Sequence, residues 1–367
     1  MTASNGYLLL ADITGYTSFL ASTPTEVGGS VTASLLEELL GAVFPPFKVA
    51  NIEGDAVFLY APDEGNASAS GQTVLDAIDT LYCAFTDRVC TFRYGANCPD
   101  DPSLLAGALD LKLVVHHGEY AVNRLGDREE ISGSAVVALH RLAKNTVIQD
   151  TGYSGYAMLT SAAVEHMGLN AFFEGLETRR EDVGHLGTID TYVYPLADVW
   201  ERHRRGVRRF VERTEPLLID EMTIDLPVPS CRAWELCTEP QHRTQWISGV
   251  KSISLENLDN GRAGLGTVQY CDHGDGLIVP LEVIDWHPFD YISFDIATPL
   301  GLAVQQTIEL HPIGSGTRMA IRIANPDVGG VVGRWRARAK VRKLREIFTG
   351  LYAEAEPVLS NLARSSE

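Results

Sequence analysis

The sequence predicts an α+β fold in two domains, and three observations carry that prediction. In the first half, short apolar runs and helical stretches follow the order strand, helix, strand, strand, helix, strand. Beyond about residue 217 the pattern becomes a series of strands separated by Gly, Asn and Asp, closed by one long helix. The 367 residues also exceed what one hydrophobic core ordinarily serves. The expected division is a first domain over 1–200, a charged linker helix over 201–216 and a second domain over 217–367.

Tyr7-Leu8-Leu9-Leu10-Ala11 is a continuous apolar run that stops at Asp12, the pattern of a buried strand. Thr14–Thr17 reads as a turn around Gly15. Leu35, Leu36, Leu39, Leu40 and Val43 recur at helical spacing within Ser30–Phe44, and Pro45-Pro46 ends that helix. Phe47–Ile52 and Ala56–Tyr60 flank Glu53-Gly54-Asp55 as a hairpin, and Thr73–Thr91 is a second helix. Leu109, Leu111, Leu113 and Val115 share one parity, which predicts a strand over Leu109–His116. Gly133–Leu142 is helical and Tyr192-Val193-Tyr194 a closing strand, and the sheet is expected to carry its helices on one face.

A charged connector follows, with Arg202, Arg204, Arg205, Arg208, Arg209 and Arg213. Residues 218–229 are strand-like, and a helical piece runs through Trp234 and Leu236. Strands are expected over 250–257, 266–272, 277–286, 290–298, 302–311 and 317–324, and a terminal helix from about Val332 to Leu362.

Charge narrows the partners. Residues 1–200 carry 26 Asp+Glu against 10 Lys+Arg, and residues 201–367 carry 22 against 20. So acidic a first half repels phosphate polymers, which excludes nucleic acid as its partner. No apolar run approaches a membrane span, and the uncharged Met1–Gly6 with its short apolar run does not read as a signal peptide, so a cytoplasmic protein is expected. Cys83, Cys90, Cys98, Cys231, Cys237 and Cys271 form no CxxC. Reduced thiols are the default there, with a metal or disulfide role for Cys90 and Cys98 as the alternative.

Three motifs in the first half carry chemistry. Asp12 ends a strand just before a Gly-containing turn, Ile13-Thr14-Gly15-Tyr16-Thr17, that opens toward a helix N-terminus where free N–H groups can hold phosphate. Asp55 sits in a hairpin turn. If the two strands are neighbours, the carboxylates converge as hard ligands for Mg²⁺ or Mn²⁺. The helix Gly133–Leu142 presents Arg141, a guanidinium able to neutralise charge developing at phosphorus. Each motif alone has a plainer reading as a turn residue or a solvated arginine.

In this order and spacing they resemble the class III nucleotidyl cyclase domain of adenylate and guanylate cyclases, over about Tyr7 to Leu196. The segments Glu53–Val57, His116-His117-Gly118-Glu119 and His140–Asn145 look like a bacterial branch of that superfamily, with Leu113–Glu119 similar to its Gly-containing hairpin. The resemblance implies a ferredoxin-like domain, metal on Asp12 and Asp55, a transition-state role for Arg141, base reading at Asn51 and Glu130, and a homodimer that pools metals from one chain with the arginine of the other. It is incomplete. Val137 stands where the family has an Asn, Asn51 where adenylate cyclases have a Lys, Glu130 where an Asp is expected, and Val183–Gly187 lacks the phosphate-binding Lys.

The second half resembles the START-like superfamily of polyketide cyclases and lipid carriers, on Ala233-Trp234-Glu235-Leu236, Trp246 and Val283–Pro288, over about 217–363. That likeness implies a helix-grip fold, an antiparallel sheet wrapped on a long C-terminal helix. Such a sheet leaves an apolar cavity, with Trp234, Trp246, Tyr270, Trp286, Phe294 and Trp335 as candidate lining; plain core packing is the competing reading for each. The basic run Arg334–Arg345 reads as a solvated helix face, or as a surface for an anionic membrane, nucleic acid or the acidic first domain. Together these imply a divergent, degenerate cyclase-like protein that binds metal and nucleoside triphosphate, coupled to a small hydrophobic-ligand domain. The alternatives are an active purine nucleotidyl cyclase, a phosphorus–oxygen lyase, and a non-catalytic binding or carrier protein.

Overall fold

The apolar run Tyr7–Ala11 lies at the middle of β1 (Thr2–Thr14), which is hydrogen-bonded on both sides and buried on both faces. A strand enclosed in this way needs no polar alternation, which explains the continuous Leu8-Leu9-Leu10. The structure is a computed structural model that describes residues 2–63, 70–95, 102–125, 128–205, 210–212, 216–258, 261–328 and 330–365. It divides into two units, Met1–Arg205 and Gly206–Glu367, each with its own sheet.

In the first unit β1 is followed by α1 (Tyr16–Ser22), α2 (Thr25–Gly41), the hairpin β2 (Lys48–Glu53) and β3 (Ala56–Pro62), α3 (Gly71–Gly95) and β4 (Asp110–Leu125). The hairpin turns at Gly54, whose φ of 69° favours glycine. These strands lie in the order β2-β3-β1-β4, all antiparallel, which is the ferredoxin-like arrangement. After β4 come β5 (Arg128–Ser132), α4 (Ser134–Leu142), α5 (Val147–Thr151), β6 (Tyr156–Thr160), α6 (Ser161–Met167), α7 (Asn170–Phe173), β7 (Glu177–Asp182), β8 (Thr188–Pro195) and α8 (Ala197–Arg205). β6, β8 and β7 extend the sheet beyond β4, and β5 pairs with β4 off that path.

The structure corrects the expectation of helices on one face. Leu8, Leu10, Phe58, Val114 and Met158 form one buried cluster with Ala135, Ala138, Leu139 and Leu142 of α4 and Val147 of α5. The opposite face carries Tyr7 and Leu9 and is covered by α2, α3 and α6. Neighbouring strand residues point to opposite faces, so the sheet is filled from both sides. The turn expected at Gly118 is also corrected, because β4 runs straight through it. A Cβ there would sit 3.1 Å from that of Ala135, so this glycine marks the close approach of α4. The charged stretch after residue 197 starts as α8, where Trp200 Nε1 donates to Asp87 of α3 at 2.7 Å. Arg208, Arg209 and Arg213 lie outside the described residues.

The second unit begins with β9 (Leu217–Leu226), α9 (Ser230–Thr238) and α10 (Pro240–Trp246). β10 (Ser252–Glu256), β11 (Val268–Asp272), β12 (Ile278–His287), β13 (Tyr291–Ala297), β14 (Ala303–Ile313) and β15 (Gly316–Ala324) follow, and α11 (Gly330–Ser365) ends it. The seven strands form one antiparallel sheet in the order β10-β11-β12-β13-β14-β15-β9. α11 packs on β9 and α9, giving the helix-grip arrangement. Trp234 is fully buried, edge-to-face with Trp286 and tilted against Phe289. Each such side chain contributes about 1.5–3 kcal/mol through burial. Among the described residues no helix is long and apolar enough to cross a membrane.

Candidate functional site

Asp12 and Asp55 meet in one cleft of about 500 Å³ on the α4 face of the first unit. Register brings them there: Asp12 of β1 pairs with Ala56 of β3, the residue after Asp55, and the Ile13 N–H donates to the Asp55 carbonyl at 3.2 Å. On its other side Asp12 pairs with Lys112 of β4. The Lys112 ammonium lies 2.9 Å from the Asp12 carboxylate, both side chains about one-fifth exposed. Burial and, second, the nearby Asp12 carboxylate raise the Asp55 carboxyl above its ordinary 3.8, opposed by a backbone hydrogen bond and by Lys112.

The same cleft is lined by Glu53, His140 and Lys144. His140 Nδ1 lies 3.6 Å from Glu53, while its ring meets Phe58 edge-on. His140 and Lys144 are four residues apart on the α4 end and share one side, whereas Arg141 points elsewhere. Its guanidinium packs on Gly184, in the turn between β7 and β8. Lys112, His140 and Lys144 were absent from the sequence-based site. Parity was the available signal, since Lys112 is out of phase with Leu111 and Leu113 and so shares the face of Asp12.

The remaining candidates scatter. The Ile13 side chain is buried and Thr14 Oγ1 is buried without a hydrogen-bond partner among the described residues. Gly15 has φ 84° and starts α1, a helix of seven residues. Tyr16 is half-buried and Thr17 exposed. Asn51 is exposed beside a bulge in β2, and Glu130 is exposed on β5. Cys90 lies half-buried in α3, and Cys98 lies outside the described residues.

Because the folded state raises the Asp55 pKa, it holds that proton more tightly than the unfolded chain does. Stability therefore falls as pH rises from about 3.8 through the raised value. Asp55→Asn is expected to remove that decline, giving a higher melting temperature than wild type at neutral pH and none of that gain below the carboxylate range. Equal pH–stability curves for the two proteins would refute the assignment.

The second unit holds a cavity of about 450 Å³ between its sheet and α11, walled by Leu277, Leu281, Ile296, Leu344, Ile347 and Phe348. That size lies in the range of small-molecule sites. Trp246 lines it, but Trp234, Tyr270, Trp286 and Phe294 do not. Trp234 and Trp286 pack on each other. Tyr270 projects from the opposite side of β11 to the lining residue Cys271, as strand alternation requires. Phe294 lies beneath Arg243, 4.8 Å from ring centre to guanidinium. The Trp335 side chain lies outside those described.

Arg243 also lines the cavity and is 3% exposed. It donates to Gln269, and among the described residues its Nε has no hydrogen-bond partner and no carboxylate lies within ion-pair distance. Gln306 donates to the Tyr352 hydroxyl beside it, and burial pushes that phenol up to about 12. Burial likewise raises the Cys271 thiol and pushes Cys237 up to about 12, so both stay protonated and unreactive. Described members of the basic run, Arg338, Arg342, Lys343 and Arg345, are exposed, with Arg342 3.8 Å from Glu346.

Comparison with known proteins divides along the same lines. Residues 221–366 match the family model for polyketide cyclase/dehydrase and lipid transport proteins, and residues 32–153 match one described as a protein of unknown function (DUF2652). The second unit is thus START-like in family match and in fold. An uncharacterised protein of Mycobacterium tuberculosis is 32% identical over 115 residues, which is 31% of this chain and 52% of the relative. The chain therefore spans about half the length of that curated relative. Among solved structures, a bacterial light-regulated adenylyl cyclase is 12% identical with a TM-score of 0.40, covering 56% of this chain and 58% of its own. An adenylyl cyclase from P. aeruginosa is 14% identical with a TM-score of 0.39, covering 53% and 94%.

Proposed function

We propose that the first domain is a divergent cyclase-like module that binds a nucleoside triphosphate in the Asp12–Asp55 cleft with cyclisation weakened or lost, and that the second binds a small hydrophobic ligand. The observation that carries this is Lys112 seated on Asp12. The chain's own cation occupies one of the two carboxylates that would hold a divalent ion. With Lys144 and His140 it also makes the cleft attractive to phosphate oxygens. Asp12 and Asp55 are hard oxygen donors lining one cleft, and the Asp12 charge adds to burial in raising the Asp55 pKa, so the pair suits Mg²⁺ or Mn²⁺ in competition with Lys112. Such an ion, when bound, supplies positive charge to the triphosphate. Arg141 is turned away from the carboxylates of its own chain, which fits a site completed by a second copy.

Titration of ATP and of GTP, with Mn²⁺, into wild type and Asp12→Ala tests this reading alongside an assay for cyclic product. Binding that depends on Asp12, with little cyclic nucleotide, is the expected result. Failure of both nucleotides to bind would overturn it, and rapid cyclic product would favour the active-cyclase alternative.

In the second domain the buried Arg243 favours one kind of hydrophobic ligand. A buried guanidinium with no ion-pair partner, the lining Glu346 and Glu354 lying beyond ion-pair distance of it, costs several kcal/mol, and an acidic group on the ligand would offset that cost. The expected occupant is an apolar body along Leu281, Ile296 and Phe348 that ends in a carboxylate against Arg243.

A further inference from the structure

On the opposite face of the same sheet, three side chains from three elements converge. Asp63 follows β3 and is fixed by its backbone N–H, which donates to the Asn5 carbonyl of β1 at 2.9 Å. His117 stands on β4 directly across from Tyr7, and His166 is in the last turn of α6. His117 Nε2 lies 2.9 Å from one carboxylate oxygen of Asp63, and His166 Nε2 lies 3.3 Å from the other. The imidazoles stack with centroids 3.8 Å apart and planes 14° from parallel. One ligand atom from each residue lies within 4.8 Å of the other two.

We propose that Asp63, His117 and His166 form a binding site for a divalent transition-metal ion of the zinc type, separate from the Asp12–Asp55 cleft. The chemistry of the donors favours it. Two imidazole nitrogens and one carboxylate are the set that zinc and its neighbours take in three-ligand sites, and they leave a position open for water or substrate. The stacking favours it too, because it turns one ring nitrogen of each imidazole toward the same carboxylate and so keeps the three donor atoms together. The surroundings orient the site, because the fully buried Tyr7 ring meets both imidazoles edge-on, at 5.1 and 5.4 Å. The Tyr7 hydroxyl has no hydrogen-bond partner among the described residues. His166 is 42% exposed, which provides the ion's way in, while His117 and Asp63 are 15% and 21% exposed.

The simpler alternative is a hydrogen-bonded His–Asp–His cluster that never meets a metal, and the two ideas predict different results. The purified full-length protein, stripped by a chelator, is titrated with Co²⁺ and read by visible absorption, then with Zn²⁺ in competition. One equivalent of Co²⁺ per chain is expected, with the intense bands of a low-coordinate nitrogen-containing site, displaced by Zn²⁺. His166→Ala removes these bands while leaving the circular dichroism spectrum of the folded protein, since the side chain is partly in solvent. Asp63→Asn weakens Co²⁺ binding by about tenfold or more, as the loss of a charged ligand requires. The bands survive in Asp12→Ala, which disables the other cleft. Absence of bands in wild type overturns the proposal, and so does their persistence in the folded His117→Ala/His166→Ala double variant.

Discussion

Replacing Arg243 with methionine is expected to weaken the binding of a medium-chain carboxylic acid about 10- to 100-fold and to leave the matching alcohol nearly unchanged. A hydrogen bond to a charged partner contributes about 1.5–3 kcal/mol, and each 1.4 kcal/mol is a tenfold change in affinity. Arg243 is the group able to supply it, because it lines the cavity and is buried with an unused Nε. Decanoate and decan-1-ol, titrated calorimetrically into wild type and variant, separate the possibilities. If acid and alcohol bind wild type equally, the acidic group is refuted and the apolar cavity stands. If neither binds, the hydrophobic-ligand reading fails as well. The unliganded variant is expected to be at least as stable as wild type, since methionine fills the space of the stem without a buried charge.

The second large effect is expected at Lys112. In Lys112→Met the Asp12 carboxylate loses its ammonium partner and becomes available to a divalent ion. Mn²⁺ affinity, measured without nucleotide, should rise about fivefold, what releasing a half-buried ion pair of about 1 kcal/mol allows. Metal-free binding of ATP should weaken in the same variant, because a cation facing the phosphates has gone. The variant should also be less stable at neutral pH than below the raised Asp55 pKa, where protonation relieves the burial of that charge and its repulsion with Asp12. Unchanged Mn²⁺ affinity would show that Lys112 does not compete for the carboxylate.

Much of this architecture was readable from residue patterns. The Gly54 hairpin and the strand series of the second unit appear close to their expected limits, because each is marked by apolar parity or a turn glycine, whereas the apolar run Tyr7–Ala11 is the middle of a strand that extends from Thr2 to Thr14. β7 was missed for a physical reason. Glu177-Thr178-Arg179-Arg180-Glu181-Asp182 is an edge strand whose charged side chains suit solvent, so no apolar period announces it. Convergence of Asp12 and Asp55 was legible because it required only that two strands be neighbours. Lys112 was harder to see, since its part depends on β4 pairing with β1 in one register. The cavity aromatics show the limit of residue type as a guide. Trp234 and Trp246 look alike in sequence, yet one is packed in the core and the other opens on the cavity. Arg243 was overlooked because nothing local tells a buried arginine from a surface one.

Tyr7 and Asp12 belong to one strand, and His117 and Lys112 to its partner, yet odd and even positions deliver them to opposite sides. Five residues of extended chain separate the two pairs by about 17 Å. Through salt water that span is about twice the Debye length, and a charge at one end would be nearly invisible at the other. Here the intervening medium is a dry septum of Leu8, Leu9, Leu10 and Val114. Across it a unit charge acts with up to about 1 kcal/mol at an effective dielectric of 20. A cation arriving beneath the sheet would thereby bias the affinity for a polyanion above it, with no strand having to move.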